Sequence, residues 1–173
     1  RGRWGDELQL ALVESAGQGL ALEAYVERWS GGGLLGRLVL AADVPLSDRE
    51  AWRERSPRRE VLEGGSRRWA LASADLQAAL RAPVAGMSFL PGSRVDGPLL
   101  EQRLGAPAER LALPPQEHLL YPDRGLAVAL DPSRGRAVLQ VVAPADFEAR
   151  LAAPLHRAIR AAAASAPAAG PTR

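Results

Sequence analysis

The sequence predicts an α+β chain: antiparallel β-meanders and hairpins with a few short helices, the second half being a helix followed by a three- or four-stranded antiparallel sheet. Three observations lead there. Short stretches alternate apolar and polar residues, glycine- or proline-bearing turns separate them at close intervals, and no β-α-β alternation with long crossovers is present.

In residues 6–16, Leu8, Leu10 and Leu12 oppose Glu7, Gln9 and Ala11, the pattern of a half-buried strand. Gly17-Gln18-Gly19 turns the chain into residues 20–29, where Leu22, Ala24 and Val26 oppose Glu23, Tyr25 and Glu27. A third strand is expected over residues 34–44, although Leu34, Leu35, Leu38, Val39 and Ala42 also fit a helix. Ser47-Asp48-Arg49-Glu50 reads as a capping box opening a short helix that Pro57 closes. Gly64-Gly65 reads as the loop of a hairpin between residues 58–63 and 66–72. Ser73 reads as the cap of a helix stopped at Pro83.

The second half starts with a strand over residues 84–89. Asp96 and Pro98 then mark a helix start, and Gly105 its left-handed end. Strands are expected at residues 109–113, 117–121, 125–131 and 137–143, with turns at Pro122-Asp123-Arg124-Gly125 and Asp131-Pro132-Ser133-Arg134-Gly135. Pro144 opens a last helix carrying Phe147, Leu151, Leu155 and Ile159, in which Pro154 should force a kink. The expected organisation is residues 1–83, residues 84–160 and a disordered Ala/Pro/Ser tail over residues 161–173.

Composition narrows the classes. Of the 173 residues 47% are hydrophobic, enough for a core, but only 5% are aromatic, so the core must rest on Leu, Val and Ala. Every basic side chain is Arg, and Lys and Asn are missing, which fits a GC-rich bacterial genome. The net charge of +2 does not by itself ask for a polyanionic partner. Without Cys there are no disulfides and no thiolate nucleophiles. The start at Arg1-Gly2-Arg3-Trp4 is read as following a removed signal peptide, lipid anchor or membrane helix.

Motifs that could carry chemistry are sparse. Gly31-Gly32-Gly33-Leu34-Leu35-Gly36 matches the dinucleotide fingerprint in letters, but an amphipathic strand precedes it, and it is read as a hairpin loop. Arg53, Arg55, Arg58, Arg59, Arg67 and Arg68 gather around Trp52 and Trp69. Interleaved Glu50, Glu54, Glu60 and Glu63 argue against a nucleic-acid surface there. Trp52, Trp69, Arg58 and Arg59 are instead the candidate interaction residues. His118 and His156 have no nucleophile motif beside them, so no catalytic, metal or cofactor residues are assigned.

The run Gly92-Ser93-Arg94-Val95, Leu99-Leu100-Glu101-Gln102-Arg103-Leu104-Gly105-Ala106-Pro107, His118-Leu119-Leu120-Tyr121 and Gly125-Leu126-Ala127-Val128 resembles the small outer-membrane lipoprotein modules of the SmpA/OmlA (BamE-like) type. The resemblance covers residues 84–147 and marks Gly105, Pro107, Tyr121 and Gly125 as structural motif residues, with Tyr121 anchoring a strand against the helix. It implies scaffolding in the bacterial envelope without catalysis. The family's adjacent helix pair and lipid-attachment Cys are not found in this sequence, and the first half has no counterpart there.

The expectation is therefore a non-enzymatic protein–protein interaction domain, periplasmic or membrane-anchored facing the periplasm. Its partner would be another envelope protein or a second copy of itself, met at sheet edges or an apolar groove. The alternative is a periplasmic carrier of a lipid or other apolar ligand, and the third reading is a hydrolase using paired carboxylates.

Overall fold

The computed structural model describes residues 8–15, 19–31, 33–62 and 64–165. The chain divides into two compact units, Arg1–Ser93 and Arg94–Arg173. The first contains β1 (Leu8–Ser15), β2 (Gly19–Gly31), β3 (Leu34–Ala42), α1 (Leu46–Glu54), β4 (Arg59–Val61), β5 (Arg67–Ala70), α2 (Ser73–Arg81) and β6 (Val84–Pro91). Its strands lie in the order β4-β5-β1-β2-β3-β6, paired antiparallel. Cross-strand register places Leu10 opposite Ala24, and Leu12 opposite both Leu22 and Trp69. This apolar face joins Trp52 of α1, Ala79 of α2 and Val44 in one core, with Leu12 and Leu22 fully buried.

The second unit contains α3 (Gly97–Leu104), β7 (Glu109–Leu113), β8 (Gln116–Tyr121), β9 (Leu126–Asp131), β10 (Arg136–Val141) and α4 (Ala153–Ser165). Its strands follow in sequence order, β10-β9-β8-β7, an antiparallel meander. One sheet face, with Leu120 and Ala127, packs under Phe147, Ala152 and Leu155. The other bears Leu119, Val128 and Leu130 and meets α3, whose Gly97 lies 3.5 Å, measured from an ideal Cβ, from the Leu130 side chain. Burial from both sides explains why β9 reads as a continuous apolar run rather than an alternation.

The α+β expectation, antiparallel meanders and hairpins with a few short helices, is overturned as a class: the strands were expected, but they make this a sheet-rich fold. Among the described residues there are ten strands against four α-helices. The decisive segment is β3: its sequence fits a helix as well, but β2 and β6 supply backbone partners on both its sides. The expected boundary at residue 83 also moves. Strand β6 pairs with β3 over Gly36–Pro91 to Ala42–Val84, so it belongs to the first unit. The expected disorder from residue 161 is corrected in part, since α4 continues through Ser165; residues 166–173 lie outside those described.

Local signals hold unevenly. Asp96 caps α3, its carboxylate accepting from the Leu99 N–H at 2.7 Å. The capping box at Ser47 does not form: α1 begins at Leu46 after Pro45, which leaves Ser47 inside the first turn. Ser73 is likewise the first residue of α2 and not its cap. Ahead of Pro154, which has no N–H for an i→i−4 bond, the helix widens into a π turn over Glu148–Ala152. The glycine fingerprint is hairpin and strand: Gly31 ends β2 and Gly36 lies in β3, where an added Cβ would stand 2.3 Å from the Leu90 carbonyl oxygen.

Candidate functional site: the outer strand of the first unit

The six arginines around Trp52 and Trp69 separate once folded. Both tryptophans are core, 7% and 8% exposed, so their assignment as interaction residues is corrected. The register Leu12–Trp69 puts the Trp69 indole on the buried face, whereas sequence spacing alone left it among surface charges. Four of the arginines find carboxylates. Arg53 and Arg67 meet Glu14 at 3.7 and 3.4 Å, Arg68 meets Glu60 at 2.8 Å, and Arg55 meets the buried Asp75 at 2.7 Å. Only Glu60 of the four interleaved glutamates takes part among the described residues; Glu14 and Asp75 come from distant positions. The Arg68 hydrogen bond, followed by its charge, holds Glu60 below the usual carboxylate range.

Arg58 and Arg59 remain exposed, with no side-chain partner among the described residues. They lead into β4, which closes the strand order on this side and, among the described residues, pairs with β5 alone. The Ala70 N–H donates to the Arg58 carbonyl at 3.0 Å, and the Leu62 N–H donates to the Ser66 carbonyl at 2.8 Å. In an antiparallel ladder the backbone groups of alternate residues turn to opposite sides. Arg58, Glu60 and Leu62 therefore turn theirs to the β5 side, where the Arg58 N–H is taken by the Ser56 hydroxyl at 3.4 Å and the Leu62 carbonyl by the Gly65 N–H at 3.1 Å. Arg59 and Val61 aim N–H and C=O away from the sheet. Among the described residues nothing bonds these outward groups, and the Val61 side chain beside them is 63% exposed.

A cavity of about 170 Å3 opens on the polar face next to this strand, lined by Tyr25, Arg58, Glu60 and Arg68 around Ala11 and Ala70. Register explains the hollow: Ala11 stands opposite Ala70, so two methyl groups floor a face otherwise built of long side chains. Its charges are mostly matched. Arg68 is bound to Glu60, and the Tyr25 hydroxyl donates to Glu23. Burial first, and this hydrogen bond second, push the Tyr25 phenol above its ordinary range, so it stays protonated and is no nucleophile at neutral pH. Arg58 makes no ion-pair contact among the described residues, although its charge still acts on Glu60 across the rim.

A second hollow of about 530 Å3 runs along Glu27, Arg28, Leu35, Arg37 and Leu90. A Glu27–Arg37 ion pair at 2.8 Å crosses its wall, and Leu35 stays 53% exposed.

The residues named as a motif in the second unit lie at the ends of its elements and in the connections between them. Gly105 ends α3 at φ 80°, ψ −179°, a conformation open to glycine, and the Tyr121 hydroxyl donates to its carbonyl at 3.1 Å. Arg124 lies 6.0 Å from the Tyr121 ring centre. Gly125 is left-handed, φ 61°, between β8 and β9. Pro107 precedes β7 in the connection from α3. At the outer end of this sheet β7 is engaged by α4, whose His156 Nε2 lies 3.2 Å from Glu109.

His118 lies in β8 between Leu111 and Ala129, and its buried Nε2 has no hydrogen-bond partner among the described residues. Burial lowers its pKa from the ordinary 6.5. The sign follows: above pH 6.5 folded and unfolded states are both neutral there, and below it the unfolded chain takes up a proton that the folded one resists. Stability is therefore expected to fall as the pH drops below 6.5 toward the lowered folded-state value. Thermal melts between pH 7.5 and pH 5, on the order of two units around this window, should show that decline, and His118→Gln should flatten it.

Val61 was not singled out by its sequence neighbourhood. A short alternating stretch signals a strand, but which backbone groups point outward depends on which strand lies beside it.

Comparison with protein families, with curated proteins and with solved structures returns no match.

Proposed function

We propose that this chain is a non-enzymatic protein-binding domain that takes up an extended segment of another protein along β4. The observation that supports this reading is the pair of outward-facing residues Arg59 and Val61, whose backbone N–H and C=O groups have no partner among the described residues. Main-chain hydrogen bonds to a free strand edge give affinity, and the flanking side chains give selectivity. The edge is three residues long, which suits a transient contact more than permanent assembly. Placement in the bacterial envelope rests on the resemblance of residues 84–147 alone.

Antiparallel pairing of β4 with a second copy in the register centred on Glu60 would put Glu60 directly against Glu60, a like-charge cross-strand pair, and only a register centred on Arg59 or Val61 avoids this.

Val61→Pro tests the reading. Proline removes an N–H that faces away from β5, so the β4–β5 ladder keeps its bonds. A photo-crosslinking residue at position 62, in the full chain in its own cells, should give a discrete protein adduct that Val61→Pro abolishes while the unfolding midpoint stays within a few degrees, a shift of about 0.5 kcal/mol. An adduct indifferent to the proline would refute the edge as the binding site.

A further inference from the structure

We infer that the segment received by β4 is acidic and carries its charge in a defined order: an apolar residue, a neutral residue, then two consecutive acids, read from its N-terminus. The inference rests on the edge-binding reading above and adds to it the chemistry of the partner.

Directly opposed residues of an antiparallel pair lie on the same face of the sheet. Of the six clustered arginines, only Arg58 and Arg59 lack a carboxylate among the described residues, and they are the two at the start of this edge. They point to opposite faces: Arg58 just precedes β4 and continues its pairing through the Ala70 N–H bond to its carbonyl, and consecutive residues of an extended segment alternate. The faces can be assigned. Arg59 stands opposite Trp69, whose indole enters the core, while Arg58 lines the hollow over Ala11 and Ala70. The pairings of this unit are all antiparallel, the commoner arrangement, and a strand added in that sense meets Val61, Glu60, Arg59 and Arg58 in that order.

Each position then has its own preference. The residue beside Val61 gains from being apolar, since that side chain is 63% exposed. The residue beside Glu60 must not be acidic: Arg68 already binds this carboxylate, and a second one directly opposite is repelled. The residues beside Arg59 and Arg58 are each favoured as Asp or Glu, and being consecutive they reach one arginine on each face. Pro57 ends the edge just beyond, because it has no N–H to offer. Both acids are needed because each arginine is exposed, and a single exposed ion pair contributes little.

The probe is a pair of labelled nine-residue peptides, one carrying Val-Thr-Glu-Glu and one with the same residues ordered Val-Glu-Thr-Glu, titrated with the full chain and followed by anisotropy. The first should bind on the order of tenfold more tightly than the second, with affinity falling as salt rises. In the double variant Arg58→Glu/Arg59→Glu the first peptide should lose its binding, and a Val-Thr-Arg-Arg peptide should gain it. Arg58→Gln and Arg59→Gln give the same test with a gentler change, each expected to weaken binding severalfold. The position-62 adduct in cells separates the two claims. If Val61→Pro abolishes it and Arg58→Glu/Arg59→Glu does not, the edge is used but the acidic partner is refuted. If neither change alters it, both fail. Equal binding of the two peptides, or no binding of the first, also overturns the inference.

Discussion

Trp69→Ala should destabilise the first unit by about 3–5 kcal/mol, the range for removing a large aromatic from a packed core. Its indole is 8% exposed and shares a cluster with Leu12 and Leu22, both at 0%, and with Trp52 and Ala79. Truncation leaves a cavity between the β1–β5 face and the helices, which the backbone pairing of β5 with both β1 and β4 prevents from collapsing. Chemical denaturation gives the measurement: the midpoint should drop sharply, and an intrinsic fluorescence change should accompany it. An unchanged midpoint together with a lost adduct at β4 would restore Trp69 as a surface anchor. Trp52→Ala, at 7% exposure, should behave in the same way.

Gly125→Ala should cost the second unit about 3 kcal/mol, from two separate causes. Its φ of 61° lies in the left-handed region, where a Cβ costs about 1–2 kcal/mol. The new methyl would also stand 2.0 Å from the Val142 carbonyl oxygen, and 3.1 Å from the Pro144 nitrogen, so backbone must shift. That shift strains the Val142 N–H bond to the Gly125 carbonyl at 2.9 Å, which ties the β8–β9 turn to the end of β10. Gly64→Ala is the internal control. It has φ 88° but open space around it, so only the backbone cost, about 1–2 kcal/mol, should appear in its unfolding midpoint. Equal losses at the two positions would mean that the contact with Val142 contributes nothing.

Both expectations separate what sequence shows from what folding adds. That Gly125 turns the chain was legible from Pro122-Asp123-Arg124-Gly125, because turn residues act through their own backbone preference. Asp131 was legible in the same way: its carboxylate accepts from the Ser133 hydroxyl at 2.6 Å and the Arg134 N–H at 3.1 Å, both within the turn. The clash of Gly125 with Val142, seventeen residues away in the numbering, was not. The candidate site follows the same division. Arg58 and Arg59 could be named from their cluster, yet nothing local distinguished them from Arg53, Arg55, Arg67 and Arg68. Their freedom appears only when Glu14 and Asp75, on other elements, and Glu60 within β4 have claimed the rest.

By itself, then, the sequence determined the local facts: the alternation of Leu8, Leu10 and Leu12, the Asp96 cap, the glycine turns and the lack of any cysteine chemistry. These depend on interactions within a few residues. The tertiary structure decided between strand and helix for residues 34–42, and it alone decided that Trp52 and Trp69 are core and that the strands make a sheet-rich fold. It also decided that Arg59 and Val61 turn their backbone outward. Each of those outcomes depends on which strand lies alongside, and pairing partners far apart in sequence are chosen by burial and hydrogen bonding across the whole sheet.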